Sequence, residues 1–114
     1  MSEHILNQIY KILQARKFAT REKSYVASLY EKGSPKISEK ILEEAREFID
    51  EAYLLDKTPD DPQVQNNIRS EAADLIFHVM VMLAHHDISP NDIFDILENR
   101  FGISGHDEKR RRRK

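Results

Sequence analysis

The sequence predicts an all-α protein, a bundle of four or five helices, and three observations lead to that prediction. Apolar residues recur at intervals of three and four rather than alternating, which is the spacing of one face of a helix. Only three Gly and four Pro interrupt the 114 residues. The segments between the predicted helices are short. Each helix must therefore bury its apolar stripe against a neighbour, and a bundle is the simplest way to do so.

Two helices are predicted before residue 34. The first has Ser2 as its cap and an apolar stripe at Ile5, Leu6, Ile9, Ile12 and Leu13. The second is shorter, and its apolar positions are Tyr25, Val26, Leu29 and Tyr30. It ends at Gly33, because glycine suits the left-handed conformation that often stops a helix.

A long third helix is predicted directly after Gly33. Ser34 and Pro35 have the pattern of an N-cap followed by a first-turn proline. The helix that they open is expected to face the core with Ile37, Ile41, Ala45, Phe48, Ile49, Ala52 and Leu55.

Two more helices complete the predicted bundle. Residues 58–62 are the only stretch dense in turn-forming residues, and they precede a second long helix over about residues 64–86. Ser89 and Pro90 repeat the cap-and-proline pattern and begin a last helix that ends at Gly102. Two long helices side by side would also offer a surface to a second copy of the chain, so a homodimer is expected.

The charges are distributed unevenly along the chain. There are 18 basic and 20 acidic residues, but residues 109–114 are all basic, which leaves 12 basic against 20 acidic residues and a net charge of −8 in the first 108. We therefore expect one domain over residues 1–108 and a flexible basic tail over residues 109–114. Contact between that tail and nucleic acid or phosphate is the alternative.

The composition excludes several classes of protein. No cysteine is present, so the chain has no disulfide framework, no thiolate zinc site and no cysteine nucleophile. No run approaches the roughly 20 apolar residues of a membrane span. The first residues lack the basic-then-apolar order of a secretory signal. We expect a cytoplasmic protein with no membrane partner.

Three polar residues lie on an otherwise apolar stretch of the second long helix, from Glu71 to Ala84. Glu71, Asp74 and His78 lie within about 60° of one another at 100° per residue. We expect this helix to be buried nearly all round, and a buried carboxylate needs a cation or a hydrogen-bond donor. The alternative is that the carboxylates face solvent at a frayed helix start and that His78 is a hydrogen-bonded core histidine.

A matching pair of carboxylates lies on the first long helix. Glu44 and Glu47 have the same three-residue spacing, so their side chains project from one face. If the two long helices are antiparallel neighbours, four carboxylates converge. Such a cluster is stable only with a hard divalent cation, Mg²⁺ or Mn²⁺, which would bring phosphates. Alternatively, these residues with Glu43 and Glu51 decorate a solvated face.

Two lysines continue the Glu44 and Glu47 stripe toward the start of the same helix. They are Lys36 and Lys40. Either they are surface ion-pair partners that add little to stability, or they bind substrate phosphates that the cation does not reach.

An ordered series of motifs resembles the phosphoribosyl-ATP pyrophosphatase family of histidine biosynthesis. The motifs are SYVAxLxEKG over residues 24–33, KIxxKxxEEAxE over 36–47, EAADLxxH over 71–78 and RFGxSGxxEK over 100–109. The paired carboxylates alone are shared across the all-α nucleoside triphosphate pyrophosphohydrolase (MazG-type) superfamily. The first motif, the two lysines and the last motif point to this branch. The likeness covers about residues 5–110.

The resemblance implies Mg²⁺-dependent hydrolysis of phosphoribosyl-ATP to phosphoribosyl-AMP and pyrophosphate by a helical homodimer. The positions that match metal ligands are Glu44, Glu47, Glu71 and Asp74. Glu43 matches the acidic residue beside them and is assigned to orient or deprotonate the attacking water, although which of Glu43, Glu44 and Glu47 acts as the base stays open. The positions near the substrate are Ser24, Tyr25, Lys36, Lys40 and His78.

Two features of the chain depart from the resemblance. This activity is often fused to a zinc-dependent cyclohydrolase domain with cysteine ligands, for which the chain has neither the length nor the cysteines, so a monofunctional form is implied. Arg46 and Asp50 lie where the family's helix is often more apolar, which leaves the dimer packing of that face open. The residues that match the family's ending, whose role stays open, are Ser104, Gly105, Glu108 and Lys109.

The sequence is also compatible with two alternative functions. One is a housekeeping hydrolase of ordinary or damaged nucleoside triphosphates on the same scaffold. The other is a helical adaptor that binds nucleic acid through residues 109–114. The adaptor would leave the polar stripe of Glu71, Asp74 and His78 unexplained.

Overall fold

A computed structural model describes residues 4–20, 22 and 24–102, and every regular element in these ranges is helical. The helices are α1 (Ile5–Ala15), α2 (Tyr25–Lys32), α3 (Ser34–Lys57), α4 (Pro62–His85) and α5 (Pro90–Phe101), with a 3₁₀ turn at Arg16–Phe18 after α1. The prediction of an all-α protein is confirmed. Among the described helices, none is long and apolar enough to cross a membrane. The 108/109 boundary and the basic tail lie outside the described residues.

The hairpin of α3 and α4 is the framework of the molecule. Each helix has 24 residues and is therefore about 36 Å long. The turn between them is closed by a hydrogen bond from the Asp61 amide to the Thr58 carbonyl at 3.0 Å. The Asp61 carboxylate then caps α4 by accepting from the amides of Gln63 and Val64. The short turn makes the two helices antiparallel, as predicted, and brings their acidic faces together.

Two of the predicted helix caps are wrong. Helix α1 begins at Ile5 with His4 as its N-cap, which accepts from the Leu6 amide at 3.1 Å; Ser2 lies outside the described residues. Helix α3 is capped by Gly33, and Ser34 is already helical. The reason is that Gly33 (φ 77°) both ends α2 and starts α3, so no residue is left between the two helices to act as a separate cap.

The other helix boundaries agree with the sequence. Ser89 caps α5 by accepting from the Asn91 amide, and Gly102 ends that helix in the left-handed conformation. Helix α4 begins two residues before the predicted start, because Pro62 occupies its first turn. Boundary differences of this size are common wherever a proline can join the first turn of a helix.

The core lies where α1, α2 and α3 meet the C-terminal half of α4. Its fully buried members include Leu13 of α1, Leu29 of α2, Ile37 of α3 and Val81 of α4. Leu13, Leu29 and Ile37 belong to apolar stripes that the sequence predicts. Apolar burial of this kind contributes about 25 cal/mol per Å² to folding. This end of the hairpin is therefore the firmly packed end. The prediction of a buried stripe is wrong for Ile12 of α1 and Ile49 of α3, which are 53% and 46% exposed because no helix in the described ranges covers them.

The prediction that α4 is buried nearly all round is wrong for the single chain. Ile76 and Val79 are 49% and 39% exposed. The physical reason is that α4 packs mainly against α3 and α1, which leaves part of its circumference without a neighbour. Helix α3 also exposes apolar side chains, at Leu42, Ile49 and Tyr53.

Candidate functional site

Three carboxylates from the two long helices meet near the middle of the hairpin. One oxygen from each of Glu44, Glu47 and Glu71 lies within 4.8 Å of the other two. Glu44 and Glu47 are on adjacent turns of α3, and Glu71 projects from the facing side of α4. The convergence that the three-residue spacing predicts is therefore observed for three of the four proposed ligands.

The Glu44 carboxylate has a buried oxygen with no hydrogen-bond partner. Its side chain is 8% exposed, and the unpartnered atom is Oε2. Buried polar atoms are nearly always hydrogen-bonded, so an exception of this kind calls for an explanation. A cation held by the neighbouring carboxylates would supply the missing partner.

The crowding of like charges raises the pKa values of this group. Burial is the largest cause of the raised pKa of Glu44, followed by a hydrogen bond with Glu47 and by the negative charges of Glu47 and Asp74. The pKa of Glu71 rises to about 7, first because of a hydrogen bond with Glu47 and then because of burial. The crowding of these carboxyl groups thus disfavours the charged form of Glu71 relative to an isolated glutamate.

Asp74 lies beside the three-carboxylate group rather than within it. Its negative charge contributes to the raised pKa values of both Glu44 and Glu71. Glu51, one turn beyond Glu47 on α3, has a second buried oxygen without a partner, Oε1. The sequence contains a signal for Glu51, because Glu44, Glu47 and Glu51 repeat the 0, 3, 7 spacing of the polar stripe on α4.

His78 is buried, with both ring nitrogens hydrogen-bonded. Its Nδ1 lies 2.8 Å from the Asp74 carbonyl oxygen, and its Nε2 lies 2.9 Å from the Tyr25 hydroxyl. A carbonyl can only accept, so Nδ1 donates; in the neutral ring Nε2 then accepts from the Tyr25 hydroxyl. This histidine joins the start of α2 to the face of α4 that carries Glu71 and Asp74. The sequence names both residues through the family resemblance, but nothing in it signals their contact.

The predicted substrate lysines on α3, Lys36 and Lys40, are half-buried, and each lies beside a carboxylate of the same helix. The Lys40 ammonium donates to Glu43 at 3.0 Å, and this hydrogen bond is the main cause of the raised pKa of Lys40. The Lys36 ammonium lies 3.8 Å from Glu39. Both contacts join residues three apart on one helix, so the ion-pair interpretation accounts for them. Burial raises the pKa of Tyr25, and the charge of Lys40 opposes that rise. Lys40 therefore also lies near Tyr25, whose hydroxyl contacts His78.

Ser24 has a structural role at the start of α2. It is buried, and its hydroxyl accepts from the Ala27 amide at 3.1 Å as the N-cap of that helix. Contact with substrate stays a prediction for this residue. The family-like ending, at Ser104, Gly105, Glu108 and Lys109, lies outside the described residues.

A protein-family model described as phosphoribosyl-ATP pyrophosphohydrolase matches residues 6–101. This range contains almost all of the described helices, and it includes every carboxylate of the candidate site. The match therefore covers the scaffold and the site together.

Three bacterial proteins named phosphoribosyl-ATP pyrophosphatase are similar along nearly their whole length. The protein of Hydrogenovibrio crunogenus is 48% identical over 114 residues, which cover 100% of this chain and 97% of the relative. That of Geobacter sulfurreducens is 43% identical over 107 residues, covering 94% and 92%. That of Zymomonas mobilis is 41% identical over 114 residues, covering 100% and 99%.

Proposed function

Because the chain belongs to the phosphoribosyl-ATP pyrophosphohydrolase family, we propose that it hydrolyses phosphoribosyl-ATP to phosphoribosyl-AMP and pyrophosphate, the second step of histidine biosynthesis. The family match and the full-length relatives support this reaction. The observation that carries it is the group of Glu44, Glu47 and Glu71, with a buried and unpartnered Glu44 oxygen. A carboxylate cluster of this kind suits a cation-assisted reaction at phosphate.

The cation that fits the cluster is Mg²⁺, with Mn²⁺ as a substitute. All the available ligand atoms are carboxylate oxygens, which hard divalent ions prefer. Glu44, Glu47 and Glu71 would hold it, with Asp74 as the adjoining fourth ligand. Bound there, the ion would act as a Lewis acid on the phosphates and lower the pKa of a bound water.

The polar residues around the three carboxylates would bind and orient the substrate and the attacking water. Hydrolysis needs a water in line with the bond between the α- and β-phosphates, and Glu43 is the carboxylate outside the cluster that can orient it or accept its proton. Lys40, hydrogen-bonded to Glu43, is within reach of the same region and would neutralise phosphate charge. Lys36, one turn earlier on α3, would extend this positive charge. His78 would hold the Tyr25 hydroxyl in a fixed position beside them.

The active form is proposed to be a homodimer. Leu42, Ile49 and Tyr53 of α3 are 70%, 46% and 65% exposed, and Ile76 and Val79 of α4 are also exposed. A second copy would remove these apolar side chains from water. Sedimentation analysis of the wild type and of Ile49→Asp tests this: a stable dimer that the aspartate dissociates is expected, and a monomeric wild type contradicts it.

The reaction is tested by measuring pyrophosphate release from phosphoribosyl-ATP, ATP and dUTP, with Mg²⁺ and with a chelator. Fast release from phosphoribosyl-ATP alone, abolished by the chelator, is expected. Comparable release from ATP and dUTP would favour the housekeeping hydrolase. Absence of release from all three, together with salt-dependent nucleic-acid binding that is lost when residues 109–114 are deleted, would favour the adaptor.

The ligand assignment is tested by replacing single carboxylates with amides. Glu47→Gln and Asp74→Asn should abolish turnover and leave helicity unchanged. The matched control is Asp56→Asn, an exposed acid-to-amide change near the end of α3. If Glu47→Gln or Asp74→Asn keeps more than about a tenth of the activity, an effect of only about 1.4 kcal/mol, the assignment of that ligand is wrong.

The role of Lys40 is tested separately. Lys40→Ala should raise KM more than it lowers kcat, because a phosphate contact acts mainly in binding. A fall in kcat with no change in KM would instead make Lys40 a group that acts on the transition state.

A further inference from the structure

A cavity of about 520 Å³ opens between α1, the start of α2 and α4. Its volume lies within the range of roughly 300–1,000 Å³ that is usual for small-molecule sites. Its lining includes the apolar side chains of Ile9, Ile12, Val26 and Phe77 and the aromatic residue Tyr25. Aliphatic and aromatic walls of this composition suit a planar aromatic group.

The cavity is connected to the carboxylate cluster through His78. Two residues of its lining contact that histidine: the Tyr25 hydroxyl at 2.9 Å and the Phe77 ring at 5.1 Å between centroids. His78 in turn contacts the Asp74 carbonyl. Glu71 is seven residues from His78, which is about 10 Å along the axis of α4. That span is comparable with a ribose and two phosphates.

Among the lining residues that the structure describes, Arg16 is the one with a cationic side chain. In the part of the chain that the structure describes, its guanidinium has no hydrogen-bond or ion-pair partner. The neighbouring cation, by contrast, is paired: the Lys17 ammonium lies 2.6 Å from the Asp87 carboxylate. A guanidinium binds phosphate with paired hydrogen bonds, so an unpaired one beside an apolar cavity suits a base that carries a phosphate group nearby.

We infer that this cavity binds the purine base of the substrate and that Arg16 binds the phosphate of its second ribose. The inference rests on the proposed function, because ATP has no second ribose phosphate and phosphoribosyl-ATP has one. The base stacks against the Phe77 and Tyr25 rings. The triphosphate then runs past His78 toward Glu71 and its neighbours. Arg16 is thus a specificity-determining residue, and the carboxylates serve the reaction.

Binding is tested without metal by recording the methyl resonances of the protein while AMP is added in the presence of a chelator. The Ile9, Ile12 and Val26 methyl signals should shift, and that of Ile96, exposed on α5, should not. Unmoved signals at all three cavity residues overturn the inference. If the signals move on dilution but not with AMP, a second copy of the chain occupies the cavity. If they move when residues 103–114 are removed, that segment occupies it. Either result also overturns the inference.

Specificity is tested with Arg16→Gln and the control Lys57→Gln, an exposed cationic residue at the end of α3. Arg16→Gln should raise KM for phosphoribosyl-ATP about tenfold, the effect of losing one charge-assisted contact. The inhibition constant of ATP as a competitor should change less than about twofold, because ATP lacks the phosphate that Arg16 binds. The control should change neither value. Equal losses for both ligands, or no change in KM, overturn the role of Arg16.

The two proposals fail in different ways. If the wild type releases no pyrophosphate from phosphoribosyl-ATP in Mg²⁺, the proposed function fails. If the wild type is active but AMP leaves the cavity methyls unmoved and Arg16→Gln keeps its KM, the proposed function stands and the cavity assignment alone is wrong.

Discussion

Two acidic groups, one in the middle of α4 and one just after its end, are in opposite electrostatic situations. In the middle of the helix, Glu71 faces Glu44 and Glu47, and its pKa is raised to about 7. Just beyond its end, Asp87 accepts from Lys17 at 2.6 Å and from Gln14 at 3.1 Å, and its pKa is lowered. Asp87 thus joins α1 to the end of α4, whereas the Glu71 group is the place where we propose that a cation binds.

The packing around Asp87 differs from the packing around Glu71. Near Asp87, Tyr30 donates to the Leu13 carbonyl at 2.9 Å, its ring stacks on His85, and the core side chains are buried. Asp87 itself has a positive φ of 60°, which aspartate tolerates better than most residues. Around Glu71, in the middle of the hairpin, buried carboxylate oxygens of Glu44 and Glu51 remain without partners. Polar groups are satisfied where the fold is stabilised and unsatisfied where a cation is proposed to bind.

The largest expected effect comes from neutralising one carboxylate of the Glu44, Glu47 and Glu71 group. Glu71→Gln should lower kcat by well over tenfold, which corresponds to more than about 1.4 kcal/mol. In chelator, however, the same variant should unfold at a higher temperature than the wild type, because a like charge is removed. Pyrophosphate release and thermal unfolding measure the two effects. A lower unfolding temperature in chelator would mean that the carboxylates are already neutralised within the fold.

Truncating a side chain of the apolar core should instead lower the free energy of unfolding. Leu13→Ala should reduce the free energy of unfolding by about 2–4 kcal/mol, because Leu13 is 1% exposed and the change leaves a cavity. The control Ile5→Ala, at a 58% exposed position of the same helix, should change it by less than about 0.5 kcal/mol. Urea unfolding gives both values. Equal losses for Leu13→Ala and Ile5→Ala would show that Leu13 is not part of the core.

A smaller effect is expected from the Tyr30 hydroxyl. Burial is the main cause of its pKa of about 12, so the folded state favours the neutral phenol. The stability that Tyr30 contributes is complete below pH 10 and is lost as the pH rises toward 12. Tyr30→Phe should cost about 1 kcal/mol at neutral pH through the lost hydrogen bond and should weaken this alkaline loss. Urea unfolding at pH 8 and pH 11 compares the two proteins.

The smallest effect is expected from Asp87. Its pKa is lowered mainly by the hydrogen bond from Lys17. The stabilisation is therefore complete above the unfolded pKa and is lost as the pH falls through the lower folded value. Asp87→Asn should lower the melting temperature slightly at pH 7 and low salt, and the difference should shrink in high salt because the pair is exposed. Activity should stay unchanged.

Much of this architecture was predictable from local patterns. The spacing of apolar residues predicts four or five helices. Their boundaries agree with the structure to within about two residues, except that the predicted caps Ser2 and Ser34 are wrong. The three-residue spacing in Glu44 and Glu47 and in Glu71 and Asp74 predicts converging carboxylates. These signals are readable because helical periodicity is a property of a few consecutive residues.

What the chain determines by its sequence alone is thus the set of helices, the acidic residues on each, and its family. Tertiary structure decided which of those residues meet. The turn at residues 58–61 sets the register of α3 against α4, and that register places Glu71, but not Asp74, among the three closest carboxylates. It also decided that Tyr25 contacts His78 and that Ile76 and Val79 stay exposed. Contacts between residues distant in sequence depend on how whole helices pack, and no local pattern contains that information.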